Sequence, residues 1–219
     1  VGDGSECDLE VVDLTNNGDI NINSSGAGLI GGIIGYATRT NEDDGVFENC
    51  VNNGSITLVA QGASNIGGIV GQIRHYELLE CENNGTIAIG EGYKSSVELY
   101  AGGIAGYTNG RNTAANGEVF ITDCTNNGEI IATTYCKGTT PTCGGIVAYP
   151  GYEDPSQTNL ITRCENKAKI TATTFAIARV GGIAGGSGNI TYCKNTGEIE
   201  GHLSIEDGNI GGIVGWLSK

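Results

Sequence analysis

Eight cysteines are the most reactive side chains in the chain, and their spacing decides what chemistry is open to them. Cys50, Cys81, Cys124, Cys164 and Cys193 each open a segment of the form C-x-N-x-G-x-I, and Leu14 opens one more copy. A position that accepts Cys or Leu is a small apolar slot, where a free thiol behaves as a small hydrophobe. Side chains stacked in register on parallel strands are poorly oriented for bridging. No C-x-x-C pair occurs, so neither a tetrahedral zinc site nor any other metal centre is expected. Cys136 and Cys143 stand outside this column and flank a short loop, 137–142, which predicts a disulfide across it; Cys7 has no evident partner.

Other candidate chemistry is sparse. His75 and His202 do not recur between copies, and neither G-x-S-x-G nor H-E-x-x-H is present. Arg39 near Glu42-Asp43-Asp44, and Arg74-His75 near Glu77, imitate the acidic and basic groups of polysaccharide lyases and hydrolases. Each is local in sequence and is explained by an exposed loop, so no enzyme is expected, and no cofactor. The acidic runs, including Glu153-Asp154, lack the spaced D-x-D-x-D-G pattern of a calcium loop. An aromatic stripe is more suggestive. After each G-G-I-x-G segment come Tyr36, Gln72, Tyr107, Tyr149, Gly186 and Trp216. Tyr36, Tyr107, Tyr149 and Trp216 are therefore candidates for stacking on sugar rings, against the plainer reading that the rings stack on one another.

These residues are positioned by a repeat. The first segments begin at Leu14, Cys50, Cys81, Cys124, Cys164 and Cys193, and the G-G-I-x-G segments at Gly31, Gly67, Gly102, Gly144, Gly181 and Gly211. One column is Asn throughout: Asn16, Asn52, Asn83, Asn126, Asn166 and Asn195. Two more are Ile throughout, from Ile20 to Ile199 and from Ile33 to Ile213. Self-similarity at roughly thirty to forty residues predicts one stacked object, a single domain over residues 1–219, rather than several packed domains. Its repeats cover about 11–35, 47–71, 78–106, 121–148, 161–185 and 190–215.

Within C-x-N-x-G-x-I the named residues fall at i, i+2, i+4 and i+6, one face of a strand. An apolar column three residues earlier, Val11, Phe47, Leu78, Ile121, Ile161 and Ile190, extends that strand backward. Segments such as Thr57-Leu58-Val59 and Ile131-Ala132-Thr133 supply a further strand. Stacking at about 4.8 Å per coil explains columns of one residue type, because each side chain meets its own copy. Buried Asn on Asn satisfies both amide and carbonyl along the stack. The expected fold is all-β: a right-handed parallel β-helix, or β-solenoid, of about six coils with two to three short strands each. The stretch from G-G-I-x-G to the next Cys column varies most, from seven residues (Gly186 to Tyr192) to seventeen (Tyr107 to Asp123), so variable loops gather on one side.

Composition narrows the function. With 25 acidic against 11 basic residues the net charge is −14, the wrong sign for nucleic acid. No apolar run reaches the length of a membrane span, so no direct membrane insertion is expected. The chain opens at Val1 and holds no Met, which reads as an excised segment of a longer surface protein. Asn23, Asn53, Asn84 and Asn189 head glycosylation sequons, two of them by-products of the repeat.

Gly31-Gly32-Ile33-Ile34-Gly35, Gly67-Gly68-Ile69-Val70-Gly71 and Gly211-Gly212-Ile213-Val214-Gly215, each joined to C-x-N-x-G-x-I, resemble GLUG-type repeats. Such repeats occur in bacterial surface proteins and adhesins, and beside the peptidase domain of some IgA-cleaving metallopeptidases. The resemblance runs from about Val11 to Trp216, departing at Ala148 and at Lys167-Ala168. It implies an extracellular location, attached to a bacterial cell surface or secreted, and an adhesive or spacer role toward a host or microbial surface glycan or protein. It carries over no catalytic residue. The chain is expected to be monomeric or to associate end to end.

Overall fold

The computed structural model describes residues 10–24, 26–38, 45–60, 62, 64–74, 76–90, 98–109, 119–134, 140–151, 159–175, 177–203 and 208–217. The chain winds as a right-handed parallel β-solenoid, and successive coils feed the same sheets in order. The second coil shows the plan, with strands at Gly45–Glu48, Val51–Asn52, Ile56–Ala60, Ser64–Gly67 and Val70–Arg74. Stacked with their counterparts, these form sheets 1 to 5 in chain order. Among the described residues, sheets 1 to 4 have six strands each. Sheet 5 has four and continues through the last two coils as single bridges, Val147 to Ala184 to Val214. Each coil is thus divided more finely than the two to three strands expected. Two of its corners fall at the glycines of the motif, as at Asn53-Gly54-Ser55 and Gly68-Ile69, and a third falls at the residue before each Cys, where the residue types gave no consistent signal.

One corner explains itself. Between sheets 1 and 2 stand Asp13, Asn49, Glu80, Asp123, Arg163 and Tyr192, all left-handed with φ between 51° and 56°. Asn and Asp tolerate that conformation best among non-glycine residues. Glu, Arg and Tyr are held in it by the parallel pairing on either side of the corner.

Register follows the columns. Val11, Phe47, Leu78, Ile121, Ile161 and Ile190 are mutual partners in sheet 1. The Ile20 column pairs through sheet 3, where Thr57–Val59 and Ile131–Thr133 also lie.

The interior is not one core but two. Phe47, Cys50, Ile69, Val70, Ile73 and Leu78 belong to one cluster, enclosed by sheets 1, 2 and 5. Ile56, Leu58, Ile66, Ile87, Ile89 and Leu99 belong to another, between sheets 3 and 4. Each fully buried Ile or Leu contributes roughly 1.5–3 kcal/mol relative to exposure. The wall running from sheet 1 to sheet 3 therefore serves both: Cys faces the first lobe, Ile the second, and Asn the waist between them.

At the waist sheets 4 and 5 approach closely. A Cβ on Gly71 would lie 2.4 Å from the amide nitrogen of Ile30, so a side chain there requires the backbone to shift; the fourth coil carries the buried Ala148 at the matching position.

Candidate functional site

Three columns carry the polar and reactive side chains. The Asn column is a continuous hydrogen-bonded ladder. Asn16 Nδ2 donates to Asn52 Oδ1, Asn52 to Asn83, Asn83 to Asn126, Asn126 to Asn166 and Asn166 to Asn195, each at 2.8 Å. The second amide proton goes to the carbonyl of the residue two places on, from Gly18 to Gly197, at 2.8–3.0 Å. Buried Asn is thereby fully used, and the ladder has one sense, amide toward the C-terminal end. The glycine pair closes the waist over it: a Cβ on Gly68 or Gly103 would lie 2.3 Å from Cγ of Asn83 or Asn126.

The Cys column fills the corner of the first lobe. Cys50, Cys81, Cys124, Cys164 and Cys193 are free thiols, all buried except the half-buried Cys193. Their S–H groups donate to main-chain carbonyls of the preceding coil, Cys50 to Val11 at 3.3 Å and Cys164 to Ile121 at 3.4 Å. Burial, then the neighbouring thiols of Cys164 and Cys81, push the Cys124 thiol well above its ordinary value. These are packing groups. Cys143 also carries a free thiol, but in the second lobe, between Ala101 and Val180 of the adjoining coils. Burial pushes it up to about 12. Cys136, its expected disulfide partner, lies outside the described residues, as does Cys7.

The third column is the aromatic stripe, and the structure gives it a second side. Tyr36, Gln72, Tyr107 and Tyr149 are register partners in sheet 5. Facing them across the waist are the outward residues of sheet 4: Leu29, Asn65, Tyr100, Thr142, Arg179 and Asn209. The two rows meet in a seam along the solenoid. Asn65 Nδ2 donates to Gln72 Oε1 at 3.1 Å. Tyr107 and Tyr149 stack at 5.7 Å between ring centroids, and Tyr100 stacks on Tyr149 at 5.1 Å. The Tyr100 hydroxyl donates to Glu98. Burial, then that carboxylate, raise its pKa. Toward the C-terminal end the Arg179 guanidinium lies 4.1 Å over the Trp216 ring. Tyr36, at 48 % exposure, is the most open ring of the four candidates.

Tyr100 and Arg179 were not found from the sequence. The signal was present: both stand two residues before the glycine pair, the alternate of an inward apolar position. The column mixes residue types, Leu29, Asn65, Tyr100, Thr142, Arg179 and Asn209, and so shows no recurrence to mark it.

Surface charges pair along the stack. Arg163 makes a two-pronged contact with Asp123 of the preceding coil, at 2.8 and 2.7 Å. The guanidinium holds the Asp123 carboxyl below its usual range. Lys169 reaches Glu200 and Glu198, and Lys194 reaches Glu165. His202 lies exposed beside Glu200 at 3.1 Å. Of the acid–base clusters considered above, Arg39, Glu42-Asp43-Asp44, His75 and Glu153-Asp154 all lie outside the described residues. Among the described residues no three His, Cys, Asp or Glu side chains converge on a common point. No helix among them is long and apolar enough to cross a membrane.

Ladder, thiol column and seam define a repetitive, all-parallel β-solenoid whose distinctive side chains are turned to stacking. Compared with protein families, curated proteins and solved structures, the chain matches none.

Proposed function

We propose that this chain is a non-enzymatic, extracellular β-solenoid, adhesin-like or a spacer, carried on or secreted from a bacterial cell. Its body holds variable loops on one side toward a host or microbial surface. One observation supports this reading most: among the described residues, the recurring thiol, amide and tyrosine side chains are consumed by the architecture. Thiols donate to main-chain carbonyls, amides to amides, and tyrosine rings to one another. What remains free to vary is the loop side, where binding residues collect on rigid scaffolds. Beads coated with the chain should adhere to a panel of host and microbial cells. Replacing 110–118 and 152–158 with Gly-Ser stretches of equal length should remove adhesion while leaving the melting temperature unchanged. Adhesion of wild-type beads no greater than that of bare beads would sink the adhesive role and leave the spacer.

A second reading, a carbohydrate-binding module using Tyr36, Tyr107, Tyr149 and Trp216, is favoured by the exposure of Tyr36. On this reading Tyr36→Ala reduces glycan-array signal more than Tyr107→Ala, whose ring is already covered by neighbours. No array signal from wild type eliminates it.

A further inference from the structure

The lysines and arginines of the described residues divide into two groups. Along the wall running from sheet 1 to sheet 3 each is spent on a carboxylate. Arg163 pairs with Asp123, Lys167 and Lys194 with Glu165, and Lys169 with Glu198 and Glu200. Arg74 and Arg179 have no carboxylate partner among the described residues, in a chain with 25 acidic against 11 basic residues. Nε of each is buried without a hydrogen-bond partner. An unmade bond at a buried donor is costly, so a pair of them calls for a reason.

Both stand on the seam. Arg74 follows Gln72 by two places in sheet 5, with the buried Ile73 between them, so it shares the face of the aromatic stripe. Arg179 is the partner of Thr142 in sheet 4 and precedes the buried Val180. Its guanidinium lies 4.1 Å over the Trp216 ring, a contact that fixes the cation and leaves its N–H donors for a ligand. The second coil carries Arg74 and the fifth Arg179, about 14 Å apart along the axis at three steps of the strand spacing. Between them lie the rings of Tyr100, Tyr107 and Tyr149. Glu98 also stands on sheet 4, where it accepts the Tyr100 hydroxyl.

We propose that this seam binds an acidic polysaccharide through its uronate carboxylates, Arg74 and Arg179 each pairing with one. The partly exposed rings of Tyr107 and Tyr149 form the apolar floor between them. The proposal rests on the carbohydrate-binding reading above and names its ligand class. A guanidinium offers paired donors in a fork that matches a carboxylate. An aromatic floor suits the apolar face of a sugar ring, which an acidic peptide lacks. The net charge of −14 opposes polyanions in general, so binding depends on these two side chains rather than on the field of the whole molecule.

The test is isothermal titration calorimetry of the intact chain with four probes: oligogalacturonate, the same oligosaccharide with its carboxyls reduced to alcohols, dextran sulfate and polyglutamate. Wild type is expected to bind oligogalacturonate at least roughly tenfold more tightly than the other three. Arg74→Gln and Arg179→Gln should each weaken that binding by roughly tenfold or more. Arg163→Gln, outside the seam, should leave it unchanged, and melting temperatures show that each variant is folded. If a glutamine variant fails to fold, Arg74→Lys or Arg179→Lys keeps the charge, removes the fork and should still weaken binding. Equal binding of the carboxyl-reduced sugar overturns the proposal and leaves the carbohydrate-binding reading standing. Equal binding of dextran sulfate or polyglutamate overturns it in favour of bare charge or an acidic peptide. Full affinity in both arginine variants overturns it as well. Wild type that binds none of the probes overturns it too, and the glycan array then decides separately whether the broader reading survives.

Discussion

The fifth and sixth coils carry the same motif and live in different surroundings. Gly182 is pressed against Asn195 and the carbonyl of Gly212, whereas Gly212 faces open space. Ile183 is fully buried, while Ile213 is 40 % exposed. Asn166 has an Asn neighbour on both sides, and Asn195 on one. The residues are matched, so the difference isolates what a neighbouring coil contributes. In a solenoid a motif residue is stabilised largely by the copy stacked on it. The same substitution should therefore cost much in the fifth coil and little in the sixth.

The sharpest break is at the glycines. Gly182→Val forces a side chain to within 2.1 Å of the Gly212 carbonyl oxygen. It should cost about 3 kcal/mol or more. Gly212→Val should stay within about 0.5 kcal/mol of wild type. Urea denaturation monitored by circular dichroism distinguishes them, and equal losses would show that the sixth coil is covered after all. Next comes the ladder. Asn166→Leu strands the Asn126 amide and the Asn195 carbonyl in the waist, at roughly 1–3 kcal/mol for each unsatisfied group. Asn195→Leu strands only one such group and should cost about half as much.

Alkaline pH probes the lobes with a smaller expected effect. The Cys143 thiol is held protonated in the folded state, at about 12. An unfolded thiol titrates near about 8.5. Stability from this group is complete below the unfolded value and drains away as pH rises toward the folded one. Cys143→Ala should flatten the alkaline limb of the stability curve; an unchanged slope would rule the thiol out as its source. The smallest effect belongs to the surface. Asp123 titrates below its unfolded value because of Arg163. The pair's contribution is present above the unfolded carboxyl value and is lost as pH falls through the folded one. Arg163→Gln should leave neutral stability nearly unchanged and reduce the acid sensitivity slightly, since both groups are solvent-exposed.

Much of the stacking was legible before any coordinates. Asn126 under Asn166, Ile130 under Ile170 and Phe47 beside Leu78 are all register partners read directly from recurring types. The cross-section was not legible. C-x-N-x-G-x-I reads as one inward face, yet Cys124 and Ile130 line separate lobes divided by Asn126. The aromatic stripe was visible on one side only, because Tyr100 and Arg179 are tied to it through the waist rather than through the strand.

The sequence by itself determined the parallel stack, its register and its direction of repetition. Like residues recur because, along the solenoid axis, each side chain contacts its own counterpart one strand spacing away. Only the tertiary structure decided the two-lobed section, the seam and the open space at Gly212. Those arise between segments joined by loops of variable length, at glycines where backbone meets backbone. A glycine records that something comes close and leaves unstated what it is.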